Sequence, residues 1–154
     1  MSRRRLSAAF MAGIAAAASG CATSRFLIDA ETVRTNTHTV LAFEETVYNK
    51  HQVREGFERY VGPGFRQHGD NLPDDRDATI GVLSHLLGSD YPASRLTVER
   101  TIAQGDLVAV QVLWQQRPGE AGAVARVDIF RLQDSRIVER WDVAQQSSPR
   151  TAGD

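Results

Sequence analysis

The chain has 154 residues, of which 42% are apolar and 24% charged, and its formal net charge is −1. This length and composition are those of one ordinary globular domain. With 18 basic against 19 acidic residues, the chain lacks the basic excess of a nucleic-acid-binding protein. A single cysteine excludes an intramolecular disulfide, so the stability of the fold must come from its core.

The first 21 residues have the pattern of an export signal. Three arginines at positions 3 to 5 precede an unbroken run of small and apolar residues from Leu6 to Ala18, and Cys21 follows. This run is too short and too rich in alanine for a transmembrane helix. We therefore predict that residues 1–21 are a signal peptide that ends at Cys21.

The small residues before Cys21 resemble a bacterial lipobox, with Ala18 where leucine is more usual. This resemblance implies diacylation of Cys21 and a lipid-anchored protein of the bacterial cell envelope that faces the periplasm. Ordinary cleavage nearby, for example after Ala22, would instead give a soluble secreted or periplasmic protein. The arginines also resemble a twin-arginine signal, so both export routes stay open. Loss of the leader removes three arginines and no acidic residue, which changes the net charge from −1 to −4.

Helical periodicity dominates the first half of the mature chain. Apolar residues recur every three or four positions, Asp29 is placed to cap the first helix, and Gly62-Pro-Gly64 ends the second. A third helix is predicted to begin at Asp75 or Asp77. The predicted segments are a tether at 22–28, helices at 29–49, 50–60 and 75–87, and a short extended run at 65–68.

From Arg95 onward the apolar pattern alternates or is continuous, which indicates strands. Helices followed by a meander predict an α+β domain whose curved antiparallel sheet wraps the helices. The predicted strands span 96–103, 107–114, 123–132 and 136–145, the domain spans 29–146, and 147–154 is predicted to be a disordered tail.

Two of these strands carry a carboxylate among apolar neighbours. Asp128 lies in Val-Asp-Ile and Asp142 in Trp-Asp-Val. Because burial of an unpaired carboxylate costs several kcal/mol, these residues either face water or line an interior cavity. In the first case they pair with Arg126 and Arg140 in a salt-bridge ladder on a solvated face. In the second case, a carboxylate in an apolar cavity suits proton abstraction next to a carbonyl.

Five segments in the right order resemble the SnoaL-like polyketide cyclase branch of the nuclear transport factor 2-like superfamily. The resemblance covers about residues 40 to 146. It implies a cone-shaped, strongly curved mixed or antiparallel sheet around N-terminal helices, the cystatin-like roll, with an apolar pocket at its open end. A homodimer through the outer face of the sheet is expected by analogy. The segments are Phe57–Gly62, Phe65–His68, Ala103–Val110, Val127–Arg131 and Arg136–Val143.

The resemblance also implies a site. Asp128 falls where ketosteroid isomerase carries a protonated aspartic acid, His68 falls near that enzyme's base, and Asp142 completes the set. Arg140 stands where the family often has histidine before Trp-Asp, and Gly69-Asp70 stands where it often has Asn-Pro. His68 can alternatively be an exposed residue at a loop edge. The pocket residues implied are Phe65, Trp114, Phe130, Arg140 and Trp141.

The resulting hypothesis is an enzyme of the SnoaL type, a lyase, isomerase or cyclase acting by acid–base catalysis on a small hydrophobic carbonyl compound without a cofactor. The alternative is a non-catalytic, ligand-binding lipoprotein that uses the same pocket. No HxxxH or HExxH motif occurs, so no metal site is predicted. His38, His51 and His85 are interpreted as helical surface residues.

Overall fold

The computed structural model describes residues 19–69, 71–119 and 122–147, with side chains described only between residues 30 and 145. The predicted signal peptide lies mostly outside these residues, as does the predicted tail. The helices are α1 (Ser19–Glu44), α2 (Val53–Tyr60) and α3 (Arg76–His85), and single π-helical turns follow α1 (Glu45–Asn49) and α3 (Leu86–Asp90). The strands are β1 (Val61–Gln67), β2 (Arg95–Gln104), β3 (Leu107–Gln115), β4 (Ala123–Gln133) and β5 (Arg136–Ser147).

The first helix begins earlier than the apolar periodicity predicts. It runs from Ser19, so residues 22–28 are helical rather than a tether and Asp29 is not an N-cap. Neither glycine nor proline occurs between Cys21 and Glu44, so nothing in the local sequence stops a helix there. The prediction for α3 was closer: Asp75 is its N-cap, and its side chain accepts a hydrogen bond from the Ala78 amide at 2.9 Å.

The first strand also begins earlier than predicted. It starts at Val61, directly after α2, and passes through Gly62, Pro63 and Gly64. Its register against β5 is irregular between Val61 and Arg66, and Gly64 has a φ of 72°. A proline is tolerated here because β1 is an edge strand.

The five strands form one sheet in the order β1-β5-β4-β3-β2. β1 is parallel to β5 and the other neighbours are antiparallel, so the predicted meander of four strands lies within a mixed sheet. The helices cover its inner face, where edge-to-face aromatic contacts join Phe43 to Phe57 and Phe130. This open α+β cone is the predicted fold.

Side-chain alternation in β3 and β4 decides which residues face the helices. Even-numbered residues are buried and odd-numbered ones are partly or fully exposed. Asp128 is paired directly with Asp142, Phe130 with Arg140, and Arg126 with Ala144. The two strand carboxylates and both arginines therefore lie on the inner face.

Within the described residues, no helix is long and apolar enough to cross a membrane.

Candidate functional site

A cavity of about 420 Å³ lies between the inner face of the sheet and the end of α3. One wall is apolar, with Leu72, Val82, Leu83 and Leu86 on it. The rest of the lining carries aromatic, amide and charged side chains from β3 and the residue after it, from β4 and β5, and from the turn after α1. The polar wall comprises Tyr48, Trp114, Gln116, Arg126, Arg140 and Asp142.

Asp128 is fully buried at the centre of an ion cluster behind this wall. Arg126 Nε donates to Oδ2 at 2.7 Å, and Arg140 Nη2 and Nε donate to Oδ1 at 2.6 and 3.1 Å. Burial pushes the pKa of Asp128 up, but the two guanidinium groups outweigh it and hold the pKa below its ordinary value. Asp128 is therefore an ionised structural anchor and not the protonated hydrogen-bond donor that the resemblance implied.

The alternative prediction for Asp128, a salt bridge with Arg126 on a solvated face, is right about the partner and wrong about the location. Asp128 does pair with Arg126, but both side chains are in the interior, with 0% and 7% of their surface exposed. An ion pair buried to this degree depends on both partners, because loss of either leaves an uncompensated charge.

Asp142 is the carboxylate that reaches the cavity. Its side chain is 5% exposed, and its Oδ1 accepts a hydrogen bond from Gln67 Nε2 at 2.7 Å. Arg140 Nη1 lies 3.9 Å away. The chain of Gly69 passes so close to this carboxylate that a Cβ there would overlap Oδ1. Asp142 is thus held in one orientation from two sides.

The structure places His68 away from Asp128 and Asp142. Its ring stacks on Trp141 with centroids 4.7 Å apart, and its Nε2 lies 3.0 Å from Glu139 Oε2. Glu139 and Trp141 alternate with Arg140 and so occupy the outer face of the sheet. Hydrogen bonds from Arg131 and then from His68 lower the pKa of Glu139. His68 is therefore a partly exposed residue at a loop edge, and neither it nor Trp141 borders the cavity.

The remaining predicted pocket residues divide into two groups. Trp114 and Arg140 lie on the cavity wall. Phe65 and Phe130 do not, because their rings are packed in the core against Phe57 and Phe43, respectively.

Glu44 is the acidic residue that sequence reasoning missed. It is fully buried on α1, and its Oε2 lies 3.6 Å from Arg126 Nη2, which is too long for a hydrogen bond. Burial, followed by repulsion from Asp128, raises the pKa of Glu44 to about 8. A signal was present in the sequence, because Glu44 shares one helical stripe with Val40 and Val47.

Two buried donors, in residues that line the cavity, have no hydrogen-bond partner among the described residues. They are the indole Nε1 of Trp114 and the Nη2 of Arg126. Buried donors are almost always paired, but these two nitrogens have almost no accessible surface and therefore lie beneath the cavity wall rather than on it. No cluster of three or more His, Cys, Asp or Glu suited to a metal occurs in the described part of the chain.

Comparison with known proteins agrees with this architecture. The model of the SnoaL-like domain family matches residues 40–140. No curated protein matches this chain.

Solved structures of similar fold come from several bacteria. A Jannaschia sp. CCS1 protein described as a SnoaL-like polyketide cyclase has a TM-score of 0.60 at 21% identity, over 74% of this chain and 88% of its own. IdmH of Streptomyces antibioticus, described as a polyketide cyclase, has a TM-score of 0.58 at 20% identity, over 71% of this chain and 91% of its own. AclR of Streptomyces galilaeus, described as a hydroxylase, has a TM-score of 0.61 at 17% identity, over 73% of this chain and 90% of its own. At these identities the likeness establishes the fold. Because the family model matches residues 40–140, more than half of the 154-residue sequence, this chain belongs to the SnoaL-like domain family.

Proposed function

We propose that this SnoaL-like pocket protein is a cofactor-independent acid–base enzyme that enolises a small, largely apolar carbonyl compound. The observation that carries this proposal is that Asp142, a carboxylate held by Gln67, lines a partly apolar cavity together with polar side chains that include Arg140. A base and hydrogen-bond donors around one apolar space are what enolisation requires.

In the proposed step, Asp142 removes a proton from the carbon next to the carbonyl. The electron pair of that C–H bond forms the enolate C=C bond, and the carbonyl π pair moves onto oxygen. The positive charge of Arg140, which lines the same cavity, stabilises this oxygen, and the surrounding apolar wall strengthens the interaction by excluding water. Protonation by Asp142 at another carbon would complete an isomerisation, and attack on a second carbonyl would complete a cyclisation.

The experiment that tests this function is exchange of α-protons for deuterium in D₂O, followed by proton NMR. Apolar ketones, beginning with 4-phenyl-2-butanone, are incubated with the wild type, Asp142→Asn and the surface control Asp74→Asn. We expect exchange with the wild type and the control, and a loss of about 10²-fold or more in Asp142→Asn. Equal exchange in Asp142→Asn would remove Asp142 from the mechanism.

The second candidate function is ligand binding without catalysis. It is favoured by the positions of Asp128, which is committed to two arginines, and of His68, which lies outside the cavity. Ketones that bind the wild type without any α-proton exchange would support this carrier function over the enzyme.

We also propose that Cys21 is lipidated and anchors the protein to the bacterial envelope, facing the periplasm. The support is the signal-like sequence that ends at this cysteine. Labelling of cells with a radioactive fatty acid should mark the wild type and not Cys21→Ser. A wild type that takes up no label and is found in the soluble fraction would favour ordinary cleavage and a soluble protein.

A further inference from the structure

The cavity extends along the strands from Asp142 to a second polar end. Asp128 is paired with Asp142 on one side and with Val110 on the other, so these three residues form one row across the inner face. Gln116 lies six residues beyond Val110, just after the end of β3, and it lines the same cavity. At the rise of a β-strand this separation is roughly 20 Å, and the curvature of the sheet shortens it. The cavity is therefore long rather than round.

The part of the cavity between these two ends is largely apolar. Ala144 is the next inner-face residue after Asp142 on β5, and its short side chain leaves space between the ends. Leu83 and Leu86 line the same part from the side of α3. Arg126, which is paired with Ala144 across the strands, is buried and donates to Asp128. A ligand that reaches both ends must therefore have an apolar body.

The far end of the cavity, which we define by Trp114, Gln116, Val124 and Gln145, offers an accessible amide group. Gln116 is partly exposed, and its side chain has no hydrogen-bond partner among the described residues. A primary amide presents both a donor and an acceptor, and a hydroxyl group presents the same combination. A hydroxyl group of a ligand can therefore bind Gln116 through either atom of the amide.

The far end carries no formal charge among the residues that the structure describes. Arg117 follows Gln116 in the chain, but it does not line the cavity, and its guanidinium lies 5.2 Å from the centre of the Tyr91 ring. The charged side chains that do line the cavity, Arg126, Arg140 and Asp142, belong to the ion cluster around Asp128. The far end therefore favours an uncharged group that forms hydrogen bonds.

We propose that the cavity takes an extended ligand with two polar ends, a carbonyl group beside Asp142 and an uncharged hydroxyl group beside Gln116, joined by an apolar chain. The position of the carbonyl group rests on the proposed function. Recognition of the hydroxyl group at the far end does not depend on any reaction, so it can be tested by binding alone.

The test compares the affinities of four ketones that share one carbon skeleton, measured by calorimetry with the full chain. The hydroxyl group is remote from the carbonyl in 10-hydroxy-2-decanone, lies mid-chain in 7-hydroxy-2-decanone and is absent from 2-decanone, while 9-oxodecanoate carries a carboxylate at the remote end. We expect 10-hydroxy-2-decanone to bind about tenfold more tightly than its 7-hydroxy isomer. The reason is that the terminal hydroxyl meets Gln116, whereas the mid-chain hydroxyl is buried against leucine side chains without a partner.

Two neighbouring glutamines provide the variant and its matched control. Gln116→Leu should remove the preference for 10-hydroxy-2-decanone and still bind 2-decanone, because it deletes the amide and keeps the apolar lining. Gln115→Leu should keep the preference, since Gln115 is paired with Arg95 of β2 and does not line the cavity.

A change of charge at the far end provides a gain of function. Gln116→Lys should transfer the preference from 10-hydroxy-2-decanone to 9-oxodecanoate, because the new ammonium group would pair with the carboxylate. A misfolded variant would lose affinity for all four ketones, so an inverted preference assigns the contact to this position.

The outcomes separate this inference from the proposed function. Equal affinities of the two hydroxy isomers, no measurable binding of 10-hydroxy-2-decanone, or tighter binding of 9-oxodecanoate by the wild type would each overturn the inference and leave the exchange test untouched. A preference that survives in Gln116→Leu would overturn the assignment to Gln116. Absence of α-proton exchange would overturn the enzyme, whereas a preference for 10-hydroxy-2-decanone would still establish a ligand with two polar ends.

Discussion

Asp128 occupies the position of a family site residue, but in this protein it is a buried ion-pair partner. Its place in the sequence suggested a neutral acid, but Arg126 and Arg140 surround it and their positive charge keeps it ionised. Burial lowers the pKa of Arg140, and its ion pair with Asp128 then raises the pKa above the ordinary value. The three side chains act as one unit that joins β4 to β5.

Asp128→Asn should destabilise the fold strongly, because two buried guanidinium groups would lose their counter-ion. The expected loss in the free energy of unfolding is about 3–5 kcal/mol, measured by urea denaturation. The matched control is Asp74→Asn, which breaks an Arg66–Asp74 pair of 2.9 Å that is exposed, and it should cost under about 1 kcal/mol. Similar losses in the two variants would argue against an ionised, buried Asp128.

Glu44 should make stability depend on pH. The ordinary pKa of a glutamate is 4.5, whereas that of Glu44 in the folded protein is raised to about 8, so the folded state keeps a proton that the unfolded state releases. The stabilisation from Glu44 is therefore complete below pH 4.5 and is lost progressively as pH rises to about 8. Relative to Glu44→Gln, the wild type should lose roughly 3–5 kcal/mol across this range.

The control for this pH effect is Glu55→Gln, which changes an exposed glutamate of α2. The unfolding free energy of Glu55→Gln should change with pH in the same way as that of the wild type from pH 5 to pH 8. A Glu44→Gln profile parallel to the wild type would show that Glu44 is already ionised at neutral pH.

At the scale of elements, the connection between β1 and α3 positions the site. Gln67 ends β1 and donates to Asp142, while the His68 amide donates to the Arg140 carbonyl at 2.8 Å. Gly69 follows, with no room for a side chain beside Asp142. This short segment therefore ties the edge strand to the carboxylate that faces the cavity.

Gly69→Ala should lower the free energy of unfolding by about 1–3 kcal/mol, because the new methyl group would overlap Asp142 Oδ1 and lie 2.7 Å from Gln67 Nε2. The matched control is Gly81→Ala in α3, where a Cβ would have no neighbour within 4 Å. That change should raise stability by about 0.5–1 kcal/mol. A neutral Gly69→Ala would mean that Asp142 is free to move aside.

At the scale of the whole molecule, the outer face of the sheet carries an apolar row. Cross-strand pairing aligns Ile102, Ala109, Ile129 and Trp141 across β2, β3, β4 and β5. Ile102 is 69% exposed, and Val143 in the next row is 71% exposed. Exposed apolar surface of this extent is typical of protein interfaces.

We expect a second copy of the chain to cover this row, as the predicted homodimer requires. Sedimentation equilibrium of the wild type should give a dimer. Val143→Glu should shift it to monomer, because a buried, unpaired carboxylate is costly. Gln133→Glu, at the exposed end of β4, is the control and should remain dimeric. A monomeric wild type would contradict the prediction.

The sequence by itself determined the local structure and the family. Alternation in β3 and β4 depends on neighbouring residues, and the cap of α3 lies within one turn of its partner, so both could be predicted from short segments. The start of the first helix could not be predicted, since no local signal marks where it begins. The resemblance to the SnoaL-like domain family could also be seen in the sequence, because the five segments that carry it occur in the right order along the chain.

Only the tertiary structure decided which polar and charged groups meet. Gln67 and Asp142 are 75 residues apart and Glu44 and Arg126 more than 80, and they meet because strand register and helix packing bring them together. A shift of one residue in β5 would exchange Asp142 for Trp141 on the inner face. His68 could be assigned to the outer face, and Asp142 to the cavity, only once that register was known.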